Sequence, residues 1–318
     1  MRFLLTDEQR AFAASLDALL TAAGTPSVAR AWGAGEHTAG RALWSRLAEA
    51  GVFAPAVPET YEGMGPLPVE LAVAFVELGR HAVPGPVVET VLAAALLAGV
   101  PEHAARLLPS LVSGKVMATV GGAYALDGDV AEVVLVLADG QVRLAPGCRP
   151  VVRPSLDPAR RLAVPLPGGE LLCSAVPPGA LDWARLATAA QALGVGLALL
   201  DRTVGYVRQR VQFGVPVGSF QAVKHRLADA AIALEFARPL LFGAALSMTP
   251  ADIAAAKVAA CEAAYTTART ALQLHGAIGY TAEYDLSLWL TKARVLRGVW
   301  GTPAECRAAV LSGRRPGP

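Results

Sequence analysis

The stretch RQRVQFGVPVGSFQAVKHRLAD, Arg208 to Asp229, decides how the chain is read, because helix packing alone does not explain it. It interrupts a series of long segments with helical period. Upstream, DWARLATAAQALGVGLALLDRTVGYVRQR places Leu186, Ala190, Leu193, Leu197, Leu200 and Val204 along one helix face. Downstream, SFQAVKHRLADAAIALEFARPLLFGAALS and PADIAAAKVAACEAAYTTARTALQLHG run at similar length, and YDLSLWLTKARVLR adds a shorter helix. Four antiparallel helices with short connections predict a bundle over 179–318. Arg210 ends the first long helix, where a cation complements the dipole. Gly214 and Gly279 read as helix terminators.

Outward from the bundle, the first third of the chain is also helical. Thr6 and Gln9 form a capping-box pattern ahead of an apolar stripe at Phe12, Leu16, Leu19 and Leu20. VELAVAFVELGRHA and PVVETVLAAALLAGV repeat the 3.6-residue period on either side of the VPETYEGMGPLP loop, giving a helical domain over 1–112. Between the helical parts the period changes. AEVVLVLADGQVRLAPG reads as a β-hairpin turning at Asp139-Gly140, and RRLAVPLPGGELL adds a strand or two, so 113–178 is a small β domain. The expected class is α+β, mostly α.

The 318 residues are 54% hydrophobic and 17% charged, with a mean hydropathy of +0.43 and a net charge of +2. Such a balance, with no Lys/Arg run, argues against nucleic-acid binding. The richest apolar run, Leu186 to Leu200, contains Thr188, Gln191, Gly194 and Gly196 and reads as a buried helix rather than a membrane span. Small apolar residues favour large subunit contacts, so an oligomer is expected. The N-terminus runs straight into a helix start without a signal-peptide pattern. Cys148, Cys173, Cys261 and Cys306 lack metal or disulfide spacing and read as buried thiols of a cytoplasmic protein.

A second stretch, QLHGAIGYTAEYDL (Gln273–Leu286), carries the argument further when paired with the first. Together, with VPETYEGMG, ELGRHAVPGP and LLPSLVSGK, they resemble the acyl-CoA dehydrogenase family, flavoproteins that introduce a Cα–Cβ double bond into acyl-CoA thioesters. The resemblance covers most of the chain and implies a helical domain, a β domain and a C-terminal bundle. It also implies FAD held between the β domain of one subunit and the bundle of its neighbour. Arg210 matches the arginine that reaches the neighbour's FAD pyrophosphate, a task that suits a planar fork of donors. Phe213 and Gln221 match positions on the cofactor's AMP side, and Gln273 and Gly276 match the second cofactor segment. Ala277 stands where a second glycine is usual, and Thr302 keeps part of a flavin-site turn. His275 reads as structural.

The family's reaction needs a carboxylate to take the α proton. In VLRGVWGTPAECR (Val295–Arg307), Trp300 occupies the place where the resemblance expects the glutamate of a YEGT turn. Some members carry the base instead beside an arginine 25 residues before the RxxFG arginine; Arg185 stands there and Ala184 precedes it. Neither Trp300 nor Ala184 can accept a proton. The β-domain segments that would contact the subunit's own FAD have no match.

The resemblance is therefore to a short, diverged, base-lacking partner of the heteromeric acyl-CoA dehydrogenases found in actinobacterial steroid degradation. SLDPARRLAVPLP (Ser155–Pro167) is similar to a segment of such partners. It implies FAD shared with a homologous catalytic subunit in a heterotetramer, an acyl-CoA substrate, bulky or steroid-derived, and an electron-transfer acceptor. Two alternatives stand beside it. One is a self-sufficient homo-oligomeric enzyme with an atypical base, for which Glu283 and Glu305 are the nearest carboxylates in sequence. The other is a flavin-free scaffold that kept only the fold.

Overall fold

A computed structural model describes residues 4–313; the extreme ends of the first and last predicted domains lie outside the described residues. Six helices come first: α1 (Asp7–Ala23), α2 (Thr25–Gly33), α3 (Thr38–Glu49), α4 (Pro68–Arg80), α5 (Val87–Leu97) and α6 (Pro101–Val112). The capping box forms as expected: the Thr6 hydroxyl accepts from the Gln9 N–H, and the Thr6 N–H donates to the Gln9 side chain. Leu16 and Leu20 are buried beneath it.

A curled seven-stranded sheet follows, built from β1 (Ala118–Gly121), β2 (Ala125–Leu126), β3 (Val133–Ala138), β4 (Gln141–Ala145), β5 (Cys148–Pro154), β6 (Arg161–Pro165) and β7 (Glu170–Cys173). Its order is β5-β6-β2-β1-β3-β4-β7, and only the β1–β3 pair is parallel. Asp139 and Gly140 both have left-handed backbones, the requirement of a two-residue hairpin turn. Cys261 and Cys306 are buried thiols, whereas Cys148 and Cys173, in this thinly covered sheet, are only half-buried.

The bundle consists of α7 (Ala180–Gln209), α8 (Gln221–Ser247), α9 (Pro250–His275) and α10 (Leu286–Leu296), followed by a fifth helix, α11 (Pro303–Ser312). α7 is the buried helix read from Leu186–Leu200, and its burial extends all round, beyond the one apolar face. Every residue from Ala184 to Leu199 is buried, because α4 and α5 cover one side and α8, α9 and α10 the other. Gly214 is also not a helix terminator. It forms, with Phe213, the two-residue turn of a hairpin between β8 (Val211–Gln212) and β9 (Val215–Pro216), where both have positive φ. α7 already ends at Gln209, with Arg210 as its C-cap.

One buried carboxylate gives the β domain a pH dependence. Asp127 lies in the left-handed region at φ +51° and accepts the Arg161 N–H at 3.3 Å. Burial raises its pKa to about 7, against the opposing pull of the Trp32 indole and the Arg160 guanidinium. The folded state then binds more protons than the unfolded chain between about pH 4 and pH 7, so this contribution to stability falls as pH rises through that window. Asp127→Asn keeps an acceptor and a residue tolerant of left-handed backbone. Its stability relative to the parent is expected to improve by about 2 kcal/mol between pH 5 and pH 8, measured by denaturant unfolding at both.

Candidate functional site

Two regions concentrate the residues singled out in the sequence, and they have opposite character. The first is an outward-facing shelf where the end of α7, the β8–β9 hairpin, the start of α8 and the end of α9 meet. The Tyr206 ring on α7 stacks on His275 at 4.1 Å, which joins two of these ends. His275 is buried, and its Nδ1 lies 2.8 Å from the Ala271 carbonyl oxygen, so it is a structural histidine as expected.

Arg210 is fixed by its backbone: its N–H donates to Tyr206 and its carbonyl accepts from Val217. Its exposed guanidinium makes no side-chain hydrogen bond or ion pair among the described residues. Phe213 at the hairpin tip is 92% exposed, packed edge-on to the half-exposed Phe220. Gln221 opens α8, and no side chain caps this helix N-terminus. Gln273 is exposed on the last turn of α9, and Gly276 follows at φ +64° and ψ −141°, with open space where a Cβ would stand. Only glycine adopts that backbone without strain. Ala277 is exposed and needs no positive φ, so the missing second glycine does not disturb the turn. A free arginine and an uncapped helix start offer donors to an anion, the open Gly276 leaves room for close approach, and the exposed rings offer a flat apolar surface beside them.

The second region is closed. Trp300 takes φ +56° in the turn before α11, a strained conformation for a bulky side chain. Two buried cations hold this turn by its backbone: Arg185 Nε donates to the Trp300 carbonyl at 3.0 Å and Lys257 Nζ to the Gly301 carbonyl at 2.6 Å. Arg185 is itself paired with the buried Asp182 at 3.2 Å. The indole packs on the main core, and its N–H is buried without an acceptor at ordinary hydrogen-bond geometry among the described residues. It still lies close enough to help hold the Glu89 carboxylate charged, while burial, the dominant effect, pushes the Glu89 pKa up. Ala184 is fully buried within α7.

Glu89, on α5, is only 3% exposed. Arg160 Nη2 approaches it to 3.9 Å from the β5–β6 connection. That connection is strapped down: Asp157 pairs with Lys292 on α10 at 3.4 Å and also accepts the Ala159 N–H. A Cβ added to Gly33 would stand 2.7 Å from the Pro158 carbonyl oxygen, so α2 closes over the same loop. Thr302 is occupied as the N-cap of α11 in a second capping box with Glu305, and these hydrogen bonds hold the Glu305 pKa down. Glu305 is therefore a helix cap and not a base, and Glu283 lies exposed two residues before the N-cap of α10.

Several of these residues escaped the sequence reading. Glu89 was visible in principle, being the single charge in the apolar helix α5, whereas Lys257 shares α9 with Asp252, Glu262 and Arg269 and does not stand out. Arg160 gave no such signal, because its partner lies far away in sequence.

Comparisons with known proteins identify the family of the chain. Residues 6–115 match the acyl-CoA dehydrogenase N-terminal domain and residues 175–310 the acyl-CoA dehydrogenase C-terminal domain. The acyl-CoA dehydrogenase IpdE2 of Mycobacterium tuberculosis is 33% identical over 305 residues, covering 94% of this chain and 95% of that protein. Among solved structures, the ChsE4-ChsE5 complex from Mycobacterium tuberculosis superposes with a TM-score of 0.85 at 26% identity, covering 98% of both chains. A Tcur3481-Tcur3483 steroid ACAD variant gives 0.85 at 26% identity, covering 96% of this chain and 97% of that one. With two domains matched and a full-length relative at this identity, the chain belongs to the acyl-CoA dehydrogenase family.

Proposed function

We propose that this chain is the accessory, base-lacking subunit of a heteromeric FAD-dependent acyl-CoA dehydrogenase acting on a bulky, steroid-derived acyl-CoA in the cytoplasm. Its working face is the shelf around Arg210, which completes the FAD site of a homologous catalytic partner. FAD bound there would supply the hydride acceptor for α,β-dehydrogenation and the link to a separate electron acceptor. This chain's own residues bind and orient: Arg210 meets the diphosphate, Gly276 allows close backbone approach, and Phe213 and Gln221 flank the adenosine side. Thr302 is left out of this set because its hydroxyl serves the α11 cap.

One asymmetry carries the proposal. The face that would serve a neighbour's FAD is open and rich in donors, whereas the place of the chain's own base is filled by Trp300 above the buried Glu89 and Arg160. Those residues do not fit a second flavin and substrate. The relatives named above include two that are described as heteromeric or steroid acyl-CoA dehydrogenase assemblies, which supports both the partner and the substrate class. An apolar stripe on α8 adds to this, since Ile232, Phe236 and Leu240 recur every fourth residue and are 47–72% exposed.

Co-expression with a longer homologue encoded beside it is expected to give a yellow complex with about one FAD per heterodimer, read from the flavin spectrum. The chain purified alone as a homo-oligomer with stoichiometric FAD and acyl-CoA turnover would overturn the proposal. Glu89 favours the self-sufficient alternative, being a buried carboxylate beside Trp300. Glu89→Gln and Trp300→Phe are nevertheless expected to leave turnover per FAD within about twofold in the complex, because neither touches the working site. A tenfold fall in either variant would place the chemistry in this subunit.

A further inference from the structure

Arg226 has no role in any assignment above, yet it is the residue that contacts Gln273. It lies on the exposed face of α8, and its Nη1 donates to Gln273 Oε1 on the last turn of α9. A guanidinium carries only N–H donors, so the Gln273 atom that meets it must be the carbonyl oxygen. The amide NH2 then faces away from Arg226. Without such a partner an exposed glutamine amide has no fixed polarity, because its terminal torsion is broad and roughly two-fold. An amide that presents oxygen to an anion repels it, whereas one that presents NH2 offers two donors.

We infer that Arg226 is a positioning residue that fixes the polarity of Gln273, so that the amide turns its donors outward to the diphosphate of a partner-bound dinucleotide. The inference rests on the accessory-subunit proposal and deepens it. Arg210, Gly276 and the uncapped start of α8 supply the rest of the cradle, on the same three helix ends that Tyr206–His275 stacking and the Arg226–Gln273 bond hold together.

The test is FAD affinity of the assembled heteromeric complex, titrated by flavin fluorescence, with assembly checked by mass photometry. Arg226→Lys retains a donor-only cation and is expected to bind within about threefold of the parent. Arg226→Ala releases the amide and is expected to weaken FAD about tenfold. Arg226→Glu accepts the NH2, turns the oxygen outward and adds a negative charge, so it is expected to be weaker still. In a Gln273→Ala background the effect of Arg226→Ala is expected to shrink to about twofold or less, because its target is gone. A purely structural arginine would not give this dependence.

Affinity within twofold of the parent across all three Arg226 variants, while Arg210→Ala loses FAD, overturns the positioning role alone. An undiminished Arg226→Ala effect in the Gln273→Ala background, or dissociation of the Arg226 variants into subunits, overturns it as well. Parent-like FAD affinity in Arg210→Ala overturns the accessory-subunit proposal itself.

Discussion

Gly194→Leu is expected to yield no soluble folded protein, although the position is helical and leucine is a better helix former. A Cβ at Gly194 would lie 1.9 Å from the Val76 carbonyl oxygen on α4, and a Cβ at Gly79 would lie 2.0 Å from the Gln191 carbonyl oxygen on α7. The two helices thus touch backbone to backbone through reciprocal glycines. Gly196 makes room for the Leu234 side chain of α8 and the Ala264 backbone of α9, which a Cβ would meet at 2.5 Å and 3.1 Å. Helix propensity favours replacing glycine by about 1 kcal/mol. Forcing two backbones apart in a close-packed core removes about 3 kcal/mol or more, and a leucine leaves no rotamer that relieves it. The clash therefore wins. Gly205→Ala supplies the control on the same helix, since nothing lies within 4 Å of its notional Cβ. There the propensity term acts alone, and the melting temperature of the purified complex is expected to rise by a degree or two. Soluble yield and thermal unfolding of both variants check the pair; a soluble Gly194→Leu variant with unchanged melting temperature would disprove the close crossing.

Periodicity located the helices and the hairpin at Asp139-Gly140 because those signals are local. The turn at Phe213-Gly214 was missed for the same reason: two residues of hairpin between two long helices leave no alternation to count. α7 was legible as a buried helix from its apolar run, but not which helices surround it, since a sequence shows how apolar a helix is and not how many neighbours it has. At the candidate site, Arg210, Gln273 and Gly276 were singled out by the resemblance of their two motifs to the family's cofactor segments. Trp300 was legible as a substitution, but what it covers was not. Glu89, Arg160 and the Asp157–Lys292 pair come together from α5, the β5–β6 connection and α10, separations that no window along the chain can span. Arg226 was hidden differently: an exposed arginine on a helix is an ordinary residue until its partner on another helix is known.

Arg210→Ala is expected to give a complex that assembles normally and is nearly colourless. The side chain of the residue takes no part in holding the fold. Both its backbone groups are hydrogen-bonded, and its side chain is exposed and makes no ion pair among the described residues. Removing it should therefore leave the fold and the subunit contacts in place. On the accessory-subunit proposal, what is lost is a bidentate, charge-assisted contact to a diphosphate, at about 1.5 kcal/mol or more for each hydrogen bond. Two such bonds correspond to about a hundredfold in affinity. Arg210→Lys keeps the charge but not the fork and should fall between the two. Added salt should narrow the difference between the parent and Arg210→Ala, because the site is exposed and screened. The measurement is flavin content and FAD affinity of the complex. Turnover per bound FAD should stay at the parent value, because the accessory-subunit proposal assigns the group that removes the α proton to the partner. Loss of turnover without loss of FAD would contradict that division of labour, and full FAD content without Arg210 would remove the reason for placing a cofactor on this face.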